Sequence, residues 1–288
     1  MLLDRKRFGL ILRVFSKTPE QVEKNANQTA KAARAAAALM VGGKFVFSEI
    51  QVLVAADKSR IDYDCGETSP LLREMLKDVP SAEVHEMQNG DLFCGVLNYG
   101  VASLVRKRCD FVGVLSHGAL EYLTAENMAK VFEAFEAGAR AVGLALDELQ
   151  PSILEGRLAN TAAFWDAVAL MAVGGFDLRA AQPKRDEPSP YMRGWSEEKG
   201  EVFYPLAGVE EILALLRLAQ TYGPCIAPIM PVGAPEWKVP DPATDPEGHS
   251  RHIKKMGTKW ERQASFATSI GAELSCLKGG VMERYRTC

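Results

Sequence analysis

The sequence predicts an α/β fold: one mostly parallel, twisted sheet covered by helices on both faces. Two observations carry that prediction. Short apolar runs rich in β-branched residues recur at Phe8–Phe15, Phe45–Asp57, Asp110–Ser116 and Ala141–Leu146. Such runs suit strands buried on both sides. Between them lie segments with helical patterning, so strand and helix alternate through the first half of the chain.

The elements follow in order. After the first strand, Thr18 is placed to cap, Pro19 suits a first helical position and Gln21 completes a capping box. The alanine-rich helix that follows is stopped by Gly42-Gly43. Ser69-Pro70 opens a second helix over Pro70–Val79, and Ala82–Gln88 is a weaker strand. Phe93–Arg108 is helical despite its glycines. Thr124 caps a helix over Ala125–Ala139. Gly156–Asp177 is expected to be a loop, a helix and a glycine turn. Ala180–Glu201, rich in proline and charge, is expected to be a long loop. Gly208–Gly223 is an amphipathic helix, and Cys225–Pro231 a short strand. The expected layout is a domain over residues 1–230 and a C-terminal arm over 231–288, with one helix at Lys254–Gly271 packing on the domain.

The chain has 288 residues, 47% hydrophobic and 25% charged, as a water-soluble globule does. A net charge of −3 gives no global field for nucleic acid. The N-terminus lacks a signal-peptide pattern, and no apolar run approaches the roughly 18 residues that span a bilayer. Peripheral contact between the basic tail and a membrane stays open. The six cysteines form no Cys-x-x-Cys pair, and several sit in apolar runs, which predicts a reducing cytoplasm.

Five landmarks in sequence order resemble the family 2 glycosyltransferases of GT-A fold, over roughly Phe8 to Pro228. They are the opening strand–loop–helix; "VLVAADKS" at Val52–Ser59; Asn98-x-Gly100 in the helix before the central strand; "VGGFD" at Val173–Asp177; and "GVEEILALLRL", with Glu211 and Arg217 at the family's acid and arginine positions. The resemblance implies a nucleotide-diphosphate sugar as donor substrate and a glycan or small molecule as acceptor. It implies a glycosyltransferase of hexosyltransferase type, with Glu211 as general base and Glu210 in reserve. On the donor side it implies Ser16, Asp57, Ser59, Asn98, Ser116 and His117. Asp57 equally suits a strand-end turn. On the acceptor side, Asn160 and Thr161 could bond sugar hydroxyls, and Trp195 or Trp237 could form a lid. Trp165 suits either a sugar face or the core.

The sequence departs from the family at the metal site. Where the family's Asp-x-Asp would follow the central strand, this chain has Ser116-His117-Gly118, a degenerate motif. Ser116 and Gly118 hold no divalent cation strongly, and one histidine is not a site. Asp62-Tyr63-Asp64 is an Asp-x-Asp after the wrong strand. A basic segment offers another means of neutralising a leaving diphosphate, through Arg251, Lys254, Lys255, Lys259 and Arg262. The same charges would suit a solvated helix face. The expectation is therefore an inverting transfer with weak or no metal need. The alternative is a catalytically inactive GT-A-like domain serving as a nucleotide- or glycan-binding or assembly module. A nicotinamide dehydrogenase is disfavoured because no Gly-x-Gly-x-x-Gly opens the first helix. A pyrophosphorylase lacks its glycine-rich lysine loop.

Overall fold

The computed structural model describes residues 2–16, 18–55, 67–87, 94–145, 155–158, 161–180, 193–196, 200–203, 209–233, 239–257 and 259–286. It does not describe the side chains of residues 117, 193–196, 200–203, 251, 254, 255 and 260. Among the described residues the strands are β1 (Phe8–Val14), β2 (Met40–Val41), β3 (Lys44–Phe45), β4 (Phe47–Ala55), β5 (Ala82–Met87), β6 (Phe111–Leu115), β7 (Ala141–Leu144), β8 (Ala162–Asp166), β9 (Arg193–Ser196), β10 (Gly200–Phe203) and β11 (Ile226–Ile229). Seven of them form one sheet in the order β11-β7-β8-β6-β1-β4-β5. All pairings are parallel except those of β8, which runs antiparallel to both β6 and β7. This is the mixed α/β sheet expected of a GT-A-like domain.

The sheet is covered on both faces because β1, at its centre, is apolar on both. Phe8 stacks against Phe111, Phe132 and Phe135, with ring centroids 4.8, 4.9 and 5.9 Å away. The last two belong to helix α4, defined below. The opposite face meets the helix over Cys94–Arg106, which lies almost directly on the backbone. A Cβ on Gly100 would stand 2.8 Å from the side chains of Ile11 and Leu53. That close approach explains a glycine in the middle of a helix, where it otherwise costs about 1 kcal/mol.

In chain order the helices are α1 (Pro19–Ala38), α2 (Thr68–Met75), α3 (Cys94–Arg106), α4 (Ala125–Glu136), α5 (Ala167–Ala172), α6 (Ile212–Tyr222), α7 (Pro246–Gly257), α8 (Lys259–Ser269) and α9 (Ser275–Gly280). Thr124 caps α4 as expected, accepting from the Asn127 amide at 3.2 Å. Thr18 occupies the N-cap position of α1, but its side chain makes no cap bond there. It bonds the Glu20 carboxylate instead and holds that carboxyl below its usual range. The expected capping box is therefore not formed through Thr18.

Three other expectations are corrected. Within Ala180–Glu201, expected to be a long loop, Arg193–Ser196 pairs antiparallel with Gly200–Phe203 as the hairpin β9–β10. Ala162–Asp166, taken with its surroundings as loop and helix, is the fully buried strand β8. Asp166 ends that strand and at once caps α5, accepting from the Ala169 amide at 2.9 Å. The arm carries more than one helix. The proline-rich stretch Asp241–His249 contains the start of α7. The expected single helix at Lys254–Gly271 is divided between α7 and α8.

The arm is stitched to the edge of the sheet. Cys225 N donates to Gly280 O at 2.8 Å and Met282 N to Ile226 O at 2.9 Å. Helices α8 and α9 both pack on α6. No described helix is long and apolar enough to cross a membrane.

Candidate functional site

The parallel strands end on one edge of the sheet, at Phe15-Ser16, Ala55, Leu115-Ser116, Ala145 and Ile229. Open α/β sheets bind ligands there. At the end of β1, Ser16 is buried under a polar network. Asn25 Nδ2 donates to Phe15 O (3.0 Å) and Ser16 Oγ (3.2 Å), and the Thr68 hydroxyl lies 3.4 Å from Ser16 Oγ. This network fixes the turn into α1 and ties it to the start of α2. Asp57, Ser59 and Asp62–Asp64 fall outside the described residues.

At the end of β6, the Ser116 amide donates to Thr161 O at 2.9 Å. Two predicted residues, one from the donor side and one from the acceptor side, are thus joined through backbone. Ser116 O then accepts from the Ala119 amide at 2.8 Å, opening a short 3-10 turn over His117–Tyr122. One hydroxyl and one imidazole do not fit a hard divalent cation. Among the described residues no group of three or more His, Cys, Asp or Glu is poised to hold a metal ion. Asn160 and Trp237 lie outside the described residues, and Trp195 is described only in its backbone, in β9. Trp165 is fully buried in β8, edge-on to Phe176 at 5.3 Å, so it belongs to the core.

Asn98 and the "VGGFD" motif meet in space. Asn98 Nδ2 donates to Phe176 O at 2.7 Å, and Phe176 N donates back to Asn98 Oδ1 at 2.8 Å. The bracket needs glycine at 175, where φ is +68° and a Cβ would stand 2.6 Å from Asn98 Oδ1. Asp177 receives Arg179 through Nε and Nη2, both at 2.9 Å, and Arg217 Nη2 at 3.2 Å. The Arg179 guanidinium is the main reason the Asp177 carboxyl lies below its ordinary range. Arg217 Nη1 also donates to Val173 O at 3.2 Å, which locks the loop onto α6. The Asp177–Arg179 pair was missed in the sequence, although the motif containing Asp177 was flagged.

Helix α6 begins at the ligand-binding edge, because it precedes the parallel strand β11. Glu211 occupies its N-cap position without a side-chain cap bond, and Glu210 precedes it. Both are buried, at 1% and 7% exposure. Helix α8 packs against α6 and turns Lys259, Arg262 and Gln263 inward, with Arg262 at 0% and Lys259 at 6% exposure. Burial pulls the Arg262 guanidinium below its usual proton affinity, while the charges of Glu210 and Glu211 oppose that shift. The two predicted carboxylates and Arg262, one of the cations expected at the diphosphate, are thus all buried on two helices that pack together. Arg251, Lys254 and Lys255 lie on α7, where their side chains are not described.

The chain has a GT-A-like fold, as superposition on a solved structure bears out. It superposes on a mannosyltransferase from Pyrobaculum calidifontis, solved with GDP-Man and Mn2+, with a TM-score of 0.55 and 14% identity. That match covers 93% of this chain but only 65% of the mannosyltransferase. Glucosyl-3-phosphoglycerate synthase from Mycobacterium tuberculosis, solved with Mg2+ and uridine-diphosphate, gives a TM-score of 0.44 at 11% identity. That match covers 94% of this chain and 81% of the synthase. No protein-family model and no curated protein matches the sequence.

Proposed function

We propose that this chain is a glycosyltransferase that moves a sugar from a nucleotide-diphosphate donor to an acceptor hydroxyl, with inversion and with weak or no metal need. The observation that carries this reading is the buried Glu210–Glu211 pair at the ligand-binding edge of a GT-A-like sheet. An inverting transfer needs a carboxylate to take the acceptor's proton, and Glu211 takes that role. The mannosyltransferase with the same fold was solved with GDP-Man, which supports a nucleotide sugar as donor.

The donor lies over Ser16, Asp57, Ser59, Asn98, Ser116 and His117. Asn98 contributes by fixing the loop at Phe176, and Ser16 by fixing the turn after β1. Charge grows on the departing diphosphate and must be met by fixed positive groups. Arg251, Lys254, Lys255, Lys259 and Arg262 supply them. Asn160, Thr161 and Trp195 serve the acceptor. A residues 1–230 domain and a 231–288 arm share the work, in a cytoplasmic setting.

One observation favours the second reading, a non-catalytic nucleotide- or glycan-binding module: Ser116-His117-Gly118 offers no carboxylate. Titrating the protein with a panel of nucleotide sugars, with manganese or with chelator, while following thermal stability and release of nucleotide diphosphate, tests both. Stabilisation insensitive to chelator, with release in the presence of acceptor, supports the transferase. Stabilisation without release across acceptors supports the module. No stabilisation by any donor overturns the transferase and the nucleotide-binding form of the module.

A further inference from the structure

We propose that the outer face of the helix layer formed by α3, α5 and α6 docks on a membrane of anionic lipid. Exposed apolar side chains enter the interface, and a rim of arginines meets the headgroups. The proposal stands apart from the transfer chemistry.

Helix α5 rests on the sheet and touches both α3 and α6, and the short turn Leu178–Ala180 that follows it also packs on α3. α5 carries no charged residue. Ala167, Ala169 and Leu170 are its buried side. Val168 and Met171, one turn apart, point the other way into water. Leu178 joins them from the turn, and Tyr222 from the end of α6. Val168 and Leu178 are 64% and 63% exposed. Single apolar side chains on a surface are ordinary, but several gathered on one layer mark a contact surface.

The charges of this layer say what kind of surface covers it. Asp166 caps α5 and pairs with Arg140. Asp177 holds Arg179 at 2.9 Å and Arg217 at 3.2 Å. In each pair the acid is turned in and the base out. The Arg140, Arg179 and Arg217 side chains are 42%, 40% and 34% exposed, against 11% for Asp166 and 12% for Asp177. Arg140 lies over the Tyr222 ring, 5.3 Å from its centroid, and Arg106 ends α3 exposed. No Asp or Glu occurs within α3, α5 or α6, and Glu210 and Glu211, which precede α6, are buried. On the opposite face, α4 carries Glu126, Glu133 and Glu136 against Lys130 alone. A chain of net charge −3 thus shows positive charge on this layer.

An anionic lipid surface matches both features. It takes up protruding apolar side chains without a shaped pocket. Its phosphates suit guanidinium forks, and each base near it strengthens the attraction. A tyrosine at the margin suits headgroup depth. The carboxyl ends of the strands lie at an edge of the sheet and not on this face, so docking leaves the candidate site open.

The test is co-sedimentation of the full chain with vesicles of phosphatidylcholine alone, or of equal parts phosphatidylcholine and phosphatidylserine, at low and high salt. Binding is expected on the mixed vesicles only, and high salt should release it. V168E/L178E should weaken it about tenfold or more, and R106Q about fivefold. F45S, which changes an exposed side chain on the β2–β3 hairpin, should bind as wild type does. Circular dichroism checks that each variant is folded. If V168E/L178E is not, V168S/L178S takes its place and should still bind more weakly than wild type.

No binding to mixed vesicles, equal binding to phosphatidylcholine alone, or binding indifferent to salt overturns the proposal. So does wild-type binding by a folded V168E/L178E or V168S/L178S. Loss of binding in K254Q/K255Q with none in V168E/L178E would move the contact to the basic segment and overturn it as well. Binding to soluble polyglutamate but not to vesicles would indicate an acidic protein partner, and would do the same.

Discussion

The two edges of the sheet use the same kinds of charged residue in opposite ways. At the amino edge, Lys6 pairs with Asp110 (2.8 Å), Arg7 with Glu49 (3.3 Å), and Lys107 with both Glu49 (3.1 Å) and Glu83 (2.7 Å). These side chains remain in contact with water, so each pair contributes little beyond solubility and register. At the carboxyl edge, Glu210, Glu211, Lys259 and Arg262 are withdrawn from water. There a charge without a partner is expensive. Burial, more than residue type, separates a solvating surface from a chemical one.

That contrast can be broken in a graded way. The largest effect is expected from Glu211→Gln, which removes the proton acceptor but keeps the shape. Turnover, measured as nucleotide-diphosphate release, should fall by about a hundredfold or more, with the fold intact by circular dichroism. A wild-type rate in this variant would move the chemistry off α6. Next comes Asp177→Ala, which strips Arg179 and Arg217 of their carboxylate. It should cost about 1–3 kcal/mol in denaturant unfolding and loosen the loop that Asn98 brackets.

Lys107→Met, at the amino edge, should cost less than about 1 kcal/mol. Its diagnostic is pH. Hydrogen bonding from Lys107 depresses the folded-state Glu83 carboxyl to about 2 from its ordinary 4.5. A depressed carboxyl contributes stability above its unfolded pKa and loses it as pH falls through the folded value. The difference between wild type and Lys107→Met should therefore be constant above pH 5 and vanish between about pH 4.5 and 2, as read by acid titration of Tm. Smallest of all is Lys77→Ala, which removes an exposed pair with Glu74 and should leave Tm unchanged within error.

Much of the fold was legible because buried parallel strands leave a plain mark, as in Phe8–Val14 and Phe111–Leu115. β8 was not, because nothing separates it from α5. Asp166 serves both elements at once, and "AAFWDAVALMA" is one apolar run without a breaker. Glu210 and Glu211 could be picked out as acids opening an amphipathic helix. Which cations of the basic segment are withdrawn from water could not, since only tertiary packing selects Lys259 and Arg262 for burial. The Asn98 bracket was likewise hidden, because its partners are the backbone groups of Phe176, which carry no sequence signal.

The reversed strand β8 has one more effect. It enters the sheet from the ligand side, so Thr161, which leads into it, stands at that rim between β6 and β7. Neighbouring strands stand about 4.8 Å apart, and the Ser116–Thr161 bond spans the first of those steps. A substitution that moves Thr161 would therefore pull on the end of β6 as well.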